Sequence, residues 1–379
     1  MKRVLFSCLL VGLLASTLSA QTVPQLPFEP VKDFFQMPND VHFGEIGGVA
    51  VNSQKHIFVF SRGNVTGAAY MAQAAQLLEF DANGKFLREI GKNIFALSYA
   101  HAVRIDKQDN IWIVDKGSNM IVKFNPQGRV EWLFGRKGES SHLDVPPDWA
   151  SQMGVLLKRA GLPVTLPENN NPRNPIPVHR DNAFNQPTDV AWDSKGNSYF
   201  SDGYVNSRVA KANAKGEWVG SWGSLGSGPG QFDTPHGVAI SPKDEVYVAD
   251  RGNRRIQVFD TEGKYLREFT IDVPVDLTKG KITYGGESPN AKTGSQAPGA
   301  PDALCMTPGP NPVLFVGDLY PSRIYKLSLE GKLLGVYGQP GRNPGEFGWI
   351  HAIACPSEDE IYVGELINWR VQKLVTKKK

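Results

Sequence analysis

The strongest constraint on the fold of this 379-residue chain is an internal repeat of short strand patterns. Each copy opens with a strand that carries a β-branched residue, and twelve residues later a small or acidic residue, here called the marker, ends a second strand. Five copies keep this spacing, with the markers Ser61, Asp115, Asp202, Asp250 and Glu365. A sixth copy fits the spacing from Met306 to Asp318. Repetition at a near-constant period indicates an architecture built from equivalent units.

A second pattern completes each unit. After the marker come a turn and a third strand, and then a polar residue with a glycine three positions later, before a fourth strand. The turn pairs are Asp81/Gly84, Asn125/Gly128, Asn213/Gly216, Asp260/Gly263 and Ser328/Gly331. This spacing suits a type I turn closed by a glycine with positive φ. Four strands repeated six times without a helical period predict an all-β fold, a six-bladed β-propeller of four-stranded blades.

The last copy is one strand short, because the sequence ends at Lys379 after three strands. We expect the segment around Val31 to Met37 to add the fourth strand and close the ring, which would pair edges that an open sheet leaves exposed. Insertions interrupt the period at about residues 65–76, 137–184 and 272–303, and none resembles a separate domain. The sequence therefore predicts one propeller domain over residues 21–379.

The first twenty residues have the features of a secretory signal. Lys2 and Arg3 precede an apolar run from Val4 to Ala15, and small residues precede Gln21. The apolar run is too short to span a bilayer. We expect residues 1–20 to be removed and the rest to be exported, to the periplasm or the extracellular space.

Charge and cysteine content limit which ligands and which kinds of cysteine site are expected. The formal net charge is only +3, whereas a nucleic-acid-binding protein usually has a clear basic excess. Beyond the signal, the two cysteines are Cys305 and Cys355. In an oxidising compartment they can pair, but two small buried thiols explain them equally well. No thiolate zinc site is expected, because no C-x-x-C motif is present.

Three of the seven histidines share one position in the repeat. His101, His236 and His351 each lie two residues before the β-branched residue of the first strand, a position here called the slot. First strands line the central channel of a propeller, so side chains at equivalent slots can converge. One such histidine is most simply explained by a hydrogen bond to water or a carbonyl. Three neutral imidazoles with an open fourth position are how proteins hold a catalytic Zn²⁺.

The turns after the second strands carry further candidates. Arg62 and Arg251 each follow a marker directly, and Tyr204 lies in a blade-three turn that is one residue longer than its blade-four counterpart. Guanidinium groups match carboxylates in geometry, and a tyrosine beside cations and a metal can act as a base. Alternatively, the arginines pair with acids such as Asp115 or Asp202. The residues alone leave both interpretations open.

Several segments resemble those of the peptidyl-α-hydroxyglycine α-amidating lyase family, whose members are six-bladed propellers of NHL-type repeats. The resemblance extends over all six blades. It is carried by residues 91–95, 186–191, 201–208, 230–236 and 248–251, which include the motif around Tyr204 and the Pro235-His236 pair.

The resemblance implies that His101, His236 and His351 bind zinc. It also implies that Tyr204 is the catalytic base and that Arg62 and Arg251 bind the substrate. The implied reaction cleaves a carbinolamide, so that a C-terminal α-hydroxyglycine yields an amide and glyoxylate. The implied partner is a peptide or small molecule with a C-terminal carboxylate.

Three departures from the family concern the cofactors and the substrate. The family has a calcium-binding aspartate directly after the third histidine, where this chain has Ala352, so a structural Ca²⁺ site lacks that ligand. The family disulfide beside the tyrosine is absent, since Asn185 and Val205 occupy those positions. The chain also has no copper-binding hydroxylase part. A related α-hydroxyamide or ureido-type substrate therefore stays open.

Two alternatives compete with the lyase. A non-catalytic NHL propeller would use its top surface and long loops to bind a partner, because a fold does not fix a function. A calcium-dependent lactonase-like hydrolase would need acidic and amide oxygens around the axis, whereas the slots supply imidazoles. The lactonase is the weaker of the two.

Overall fold

The computed structural model describes residues 23–63, 74–137, 181–276, 292 and 294–377. These residues form 24 strands and no helix, arranged in six antiparallel sheets of four strands. The predicted six-bladed β-propeller is therefore confirmed. The signal segment and most of the three predicted insertions lie outside the described residues. In the part that is described, nothing helical is long and apolar enough to cross a bilayer.

The first three blades follow the chain in order. Blade one contains β2 to β5, which are Ile46–Val51, Ile57–Ser61, Gln76–Phe80 and Phe86–Ile90. Blade two contains β6 to β9, which are Ala100–Ile105, Ile111–Asp115, Met120–Phe124 and Val130–Gly135. Blade three contains β10 to β13, which are Asp189–Trp192, Ser198–Asp202, Arg208–Ala212 and Trp218–Trp222.

The other blades complete the ring. Blade four contains β14 to β17, which are Pro235–Ile240, Val246–Asp250, Arg255–Phe259 and Tyr265–Phe269. Blade five contains β18 to β21, which are Pro301–Met306, Leu314–Asp318, Ile324–Leu327 and Leu333–Tyr337. Blade six combines β22 to β24, which are Ile350–Ala354, Glu360–Glu365 and Arg370–Thr376, with the N-terminal strand β1, Phe28–Val31.

The first strand of every blade is innermost, and neighbouring first strands pack closely around the axis. Gly48 in β2 shows how close they are, because a Cβ atom there would lie 2.3 Å from the backbone nitrogen of Val103 in β6. Between blades two and three, Trp112, Phe134 and Phe200 form part of a buried aromatic layer. Such layers between blades hold the inner strands at fixed distances from the axis.

The ring is closed by an N-terminal strand, but not by the predicted segment. β1 pairs antiparallel with β24, with Phe28 opposite Thr376, so the closing residues are 28–31 rather than 31–37. Phe28 is buried and contacts the rings of Phe315 and Tyr337, which fixes this register. Residues 32–37 instead continue toward blade one, where Gln36 bridges to Lys85.

The predicted register of blade five is wrong by two residues. Leu304 pairs with Val316, as Val238 pairs with Val248 in blade four, so the position equivalent to the β-branched residue is Leu304 and not Met306. The turn between the first two strands is longer, with residues 307–313 separating β18 from β19. The blade-five slot is therefore Asp302.

Each marker connects two parts of its own blade by a hydrogen bond. Each marker is fully buried and accepts a hydrogen bond from a backbone N–H just ahead of the first strand of its own blade. The donors are Gly44, Ser98, Asn185, Asp233, Gly299 and Gly348. Donor and marker are 17 residues apart in five blades and 19 apart in blade five. This difference matches the two extra residues of its turn.

The predicted turns between third and fourth strands form as expected. Gly84, Gly128, Gly216, Gly263 and Gly331 have φ values between 80° and 87°. Each donates its N–H to the carbonyl of the polar residue three positions earlier.

A disulfide bond joins Cys305 and Cys355, whose Cα atoms are 5.9 Å apart. Of the two interpretations left open by the sequence, the structure has the paired form. The bond links the first strand of blade five to the end of the first strand of blade six.

Candidate metal centre

A backbone irregularity aims the slot residues at the channel. In five of the six blades the register between first and second strands shifts at the slot, which is the pattern of a β-bulge. Bulges re-aim side chains and are common near active sites. The six buried slot residues are Gly47, His101, Thr188, His236, Asp302 and His351. The histidines thus occupy alternate blades, which places them around the axis with approximate threefold symmetry.

Each imidazole is oriented by the neighbouring blade. The Nδ1 atoms lie 2.6–2.9 Å from the backbone carbonyl of the slot residue in the next blade, in the pairs His101–Thr188, His236–Asp302 and His351–Gly47. A carbonyl oxygen only accepts, so each Nδ1 carries a proton, and in the neutral ring Nε2 keeps a lone pair. This is the arrangement in which a histidine binds a metal through Nε2.

The three free nitrogens face one another. One ligand atom from each of His101, His236 and His351 lies within 4.8 Å of the others, and all three rings are buried. The Nε2 of His351 is buried without a hydrogen-bond partner among the described residues. An orphaned nitrogen and three convergent lone pairs fit a metal ion with one position left open. The three buried histidines therefore form a possible metal site.

Burial also favours the neutral form of two of these rings. Desolvation lowers the pKa of His101 and of His351 well below the ordinary value of 6.5, and neighbouring imidazoles lower both further. A neutral imidazole is the form that binds a metal.

Tyr204 lies beside the metal site. Its hydroxyl is 3.4 Å from the Nε2 atoms of both His101 and His236. Burial raises the pKa of Tyr204, but the charges of Lys116 and Arg251 outweigh this and lower the pKa to about 6. Its phenol is thus well placed to exchange a proton with a group bound at the metal site.

Arg62 and Arg251 both lie at this end of the channel, but neither pairs with Asp115 or Asp202. Arg62 contacts Glu45 through Nη1, donates from Nε to the Ala100 carbonyl, and stacks on the Tyr99 ring with Cζ 4.0 Å from its centroid. Arg251 donates from Nη1 to Asp302 over 3.1 Å, and its Cζ lies 5.4 Å from the Tyr204 ring centroid. Asp202 pairs instead with Arg208 of the third strand of its own blade, and Asp115 accepts hydrogen bonds from the backbone N–H groups of Ser98, Tyr99 and Ser118.

Asp302 is a site residue that the sequence reasoning missed. Its carboxylate lies 3.0 Å from Nδ1 of His236, and it accepts hydrogen bonds of 3.1 Å from Arg251 and from Nε1 of Trp349. Burial opposes ionisation, but His236 and Arg251 lower the pKa of Asp302 below its ordinary value. The blade-five slot would have revealed it had Leu304 been aligned with Val238.

Lys116 is a second missed residue. It follows the marker Asp115, as Arg62 and Arg251 follow theirs, so the repeat did contain a signal for it. Its ammonium lies 3.5 Å from the centroid of the Tyr204 ring and 5.8 Å from that of Tyr99. Burial lowers the pKa of Lys116, while Tyr204 opposes this shift.

Farther along the axis the channel holds an ion pair. Arg104 donates to both carboxylate oxygens of Asp189 at 2.8 and 2.6 Å, and also to the carbonyls of Leu304 and Ile353. Ala352, at the position of the family's calcium-binding aspartate, packs in an apolar cluster. Among the described residues, the positive charge at this level of the channel is therefore the guanidinium group of Arg104.

The comparisons with known proteins agree with the resemblance seen in the sequence. The NHL repeat family matches residues 232–259. The chain is 28% identical over 345 residues to the rat peptidylglycine alpha-amidating monooxygenase, a match that covers 85% of this chain and 29% of the rat protein. It is 24% identical over 363 residues to peptidyl-alpha-hydroxyglycine alpha-amidating lyase 1 of Drosophila melanogaster, covering 89% and 58%. The chain thus spans less than a third of the rat relative.

Solved structures share the fold at low identity. A streptogramin B lyase superposes with a TM-score of 0.51 and 14% identity, covering 93% of this chain and 88% of the other. A gluconolactonase from Xanthomonas campestris gives a TM-score of 0.52 and 12% identity, covering 89% and 87%. At these identities the likeness concerns the propeller fold alone.

Proposed function

We propose that this chain, whose resemblance to peptidyl-α-hydroxyglycine α-amidating lyases is supported by relatives of that name, is a zinc-dependent lyase. Its substrate is a carbinolamide with a C-terminal carboxylate, either a peptidyl-α-hydroxyglycine or a related α-hydroxyamide. The observation that carries the proposal is the convergence of three buried imidazoles with the Tyr204 hydroxyl 3.4 Å from two of them.

In the proposed reaction His101, His236 and His351 hold the zinc ion. When bound, zinc supplies a Lewis acid for the substrate hydroxyl. Tyr204 takes the proton from that hydroxyl, because its phenol lies beside the metal site and its pKa is lowered. The C–N bond then breaks, the hydroxyl-bearing carbon becomes the aldehyde of glyoxylate, and the amide nitrogen receives a proton. No oxidant or reductant is needed.

The neighbouring residues position the reactants. Asp302 contacts both His236 and Arg251, so it sets the orientation of a metal ligand relative to that of a cation at the channel mouth. Orientation of this kind lowers the entropic cost of reaching the transition state.

We further propose that the protein is exported. The signal pattern of residues 1–20 supports this, and so does the disulfide bond between Cys305 and Cys355, since disulfides persist in oxidising compartments.

Purified protein tests the lyase directly. We expect about one zinc ion per chain and release of glyoxylate from an N-acyl-α-hydroxyglycine. Tyr204→Phe should retain the zinc but lose activity by about 10²–10⁴-fold, the usual contribution of a general base. A stable protein without zinc and without glyoxylate release would instead support a non-catalytic binding propeller.

A further inference from the structure

Three blades place a cation at the same position, directly after the marker. These cations are Arg62 of blade one, Lys116 of blade two and Arg251 of blade four. In blade three the position is Gly203, where a Cβ atom would lie 1.8 Å from a backbone oxygen of blade four, so no side chain fits. Tyr204 comes next. The turns after the markers therefore bring the phenol of Tyr204 and three cations to the mouth of the metal site.

Two of the three cations already have a carboxylate partner. Arg62 contacts Glu45, and Arg251 contacts Asp302, whose side chain is fully buried. Each pair is close to neutral overall, so its arginine has much of its charge compensated before any substrate enters.

Lys116 is different. Among the described residues no carboxylate lies within ion-pair distance of its ammonium, and the groups that act on its charge are Tyr204 and the two arginines. The ammonium is half-buried against the faces of Tyr204 and Tyr99. Burial and the neighbouring charges of Arg62 and Arg251 both disfavour the charged form of Lys116, and an anionic ligand would offset that cost.

We propose that Lys116, which pairs with no carboxylate among the described residues, binds the carboxylate of the substrate. The inference rests on the proposed function for the identity of that substrate, and it specifies a small α-hydroxy acid derivative with a free carboxylate. Lys116 lies next to Tyr204, and Tyr204 lies next to the metal site, so a hydroxyl and a carboxylate on adjacent carbons can reach both. Arg62 and Arg251 shape the site around them.

Glycolate and glycolamide make suitable probes, because they share the α-hydroxyl and differ only in the charge of the neighbouring group. Calorimetry on the zinc-loaded protein should show that the wild type prefers glycolate. Lys116→Met should weaken glycolate binding by about tenfold or more and leave glycolamide binding unchanged, while Lys116→Arg keeps most of the preference. Lys107→Met removes an exposed charge far from the marker turns and should change neither affinity.

The same titrations in a Tyr204→Phe background separate carboxylate binding from an effect on the phenol. If Lys116 binds the carboxylate, its substitution should cost the same factor there. The inference is overturned if Lys116→Met binds glycolate as the wild type does, if both probes weaken equally, if the loss disappears with Tyr204→Phe, or if the wild type does not prefer glycolate. Glyoxylate release is measured separately, so failure of the lyase and failure of the Lys116 assignment give different results.

Discussion

At the scale of single residues, Asp302 has the widest influence on the site. Its one carboxylate contacts a metal-site histidine, an arginine and the indole of Trp349. Partners of metal ligands orient the ring that binds the metal and tune its basicity. Asp302 is therefore expected to act on the chemistry without touching the substrate.

Asp302→Asn tests this positioning role. The amide keeps the size of the side chain but removes the charge, so we expect the zinc affinity or kcat/KM to fall by about 10–100-fold. Metal titration and glyoxylate release, each compared with Glu262→Gln as an exposed control, would measure it. Unchanged values for both quantities would show that Asp302 only fills space.

The residues at the slots show how far sequence reasoning reaches. The spacing within the repeat was enough to group His101, His236 and His351. It was not enough for Asp302, because two extra residues in the blade-five turn shift the count, and only strand pairing reveals the correct register. The repeat also did not predict the ion-pair partners of Arg62 and Arg251, because Glu45 and Asp302 lie outside the turns that carry these arginines.

At the scale of the blade, the marker is the central structural element. In blade four, Asp250 accepts hydrogen bonds from the Asp233 backbone and from the side chains of Asn253, Arg255 and Gln257. It thereby joins the entry of the first strand to the turn and to the third strand. This explains why the repeat has a buried acid at this position in most blades without any role at the metal site.

Asp250→Ala should therefore destabilise the fold rather than alter the chemistry. Removing the carboxylate leaves Arg255 largely buried with one fewer partner, and we expect a loss of about 3–5 kcal/mol in the free energy of unfolding. Glu262→Ala, an exposed acid of the same blade, should change it by less than about 0.5 kcal/mol. Urea denaturation measures both, and equal midpoints for the two variants would contradict the structural role.

At the scale of the whole molecule, the sequence predicted the number of blades and the use of an N-terminal strand, because both follow from repeat counting and from the need to pair exposed edges. It did not locate that strand. Residues 28–31 form the closing strand because Phe28 packs against the rings of Phe315 and Tyr337. This is a tertiary contact that no local sequence pattern predicts.

The Arg104–Asp189 pair connects much of the ring. Asp189 also accepts a hydrogen bond from the backbone of Val238, so the pair reaches the first strands of blades two to six. Such a contact fixes the spacing of the inner strands below the metal site.

Arg104→Leu should lower the free energy of unfolding by about 3–5 kcal/mol, since it leaves Asp189 buried without its cation. Lys107→Leu, an exposed lysine three residues along the chain, serves as the control. Thermal and urea denaturation provide the measurement, with and without added calcium. Full recovery of the variant by calcium would mean that a metal ion takes the place of the guanidinium.

The hydrogen bonds from the three imidazoles to their neighbours have one more consequence. Each crosses from one blade to the next, at the junctions of blades two and three, four and five, and six and one. Retention of the proposed zinc ion should therefore depend on how closely neighbouring blades pack around the axis. A substitution that loosens any of these three junctions should release the metal before the sheets unfold.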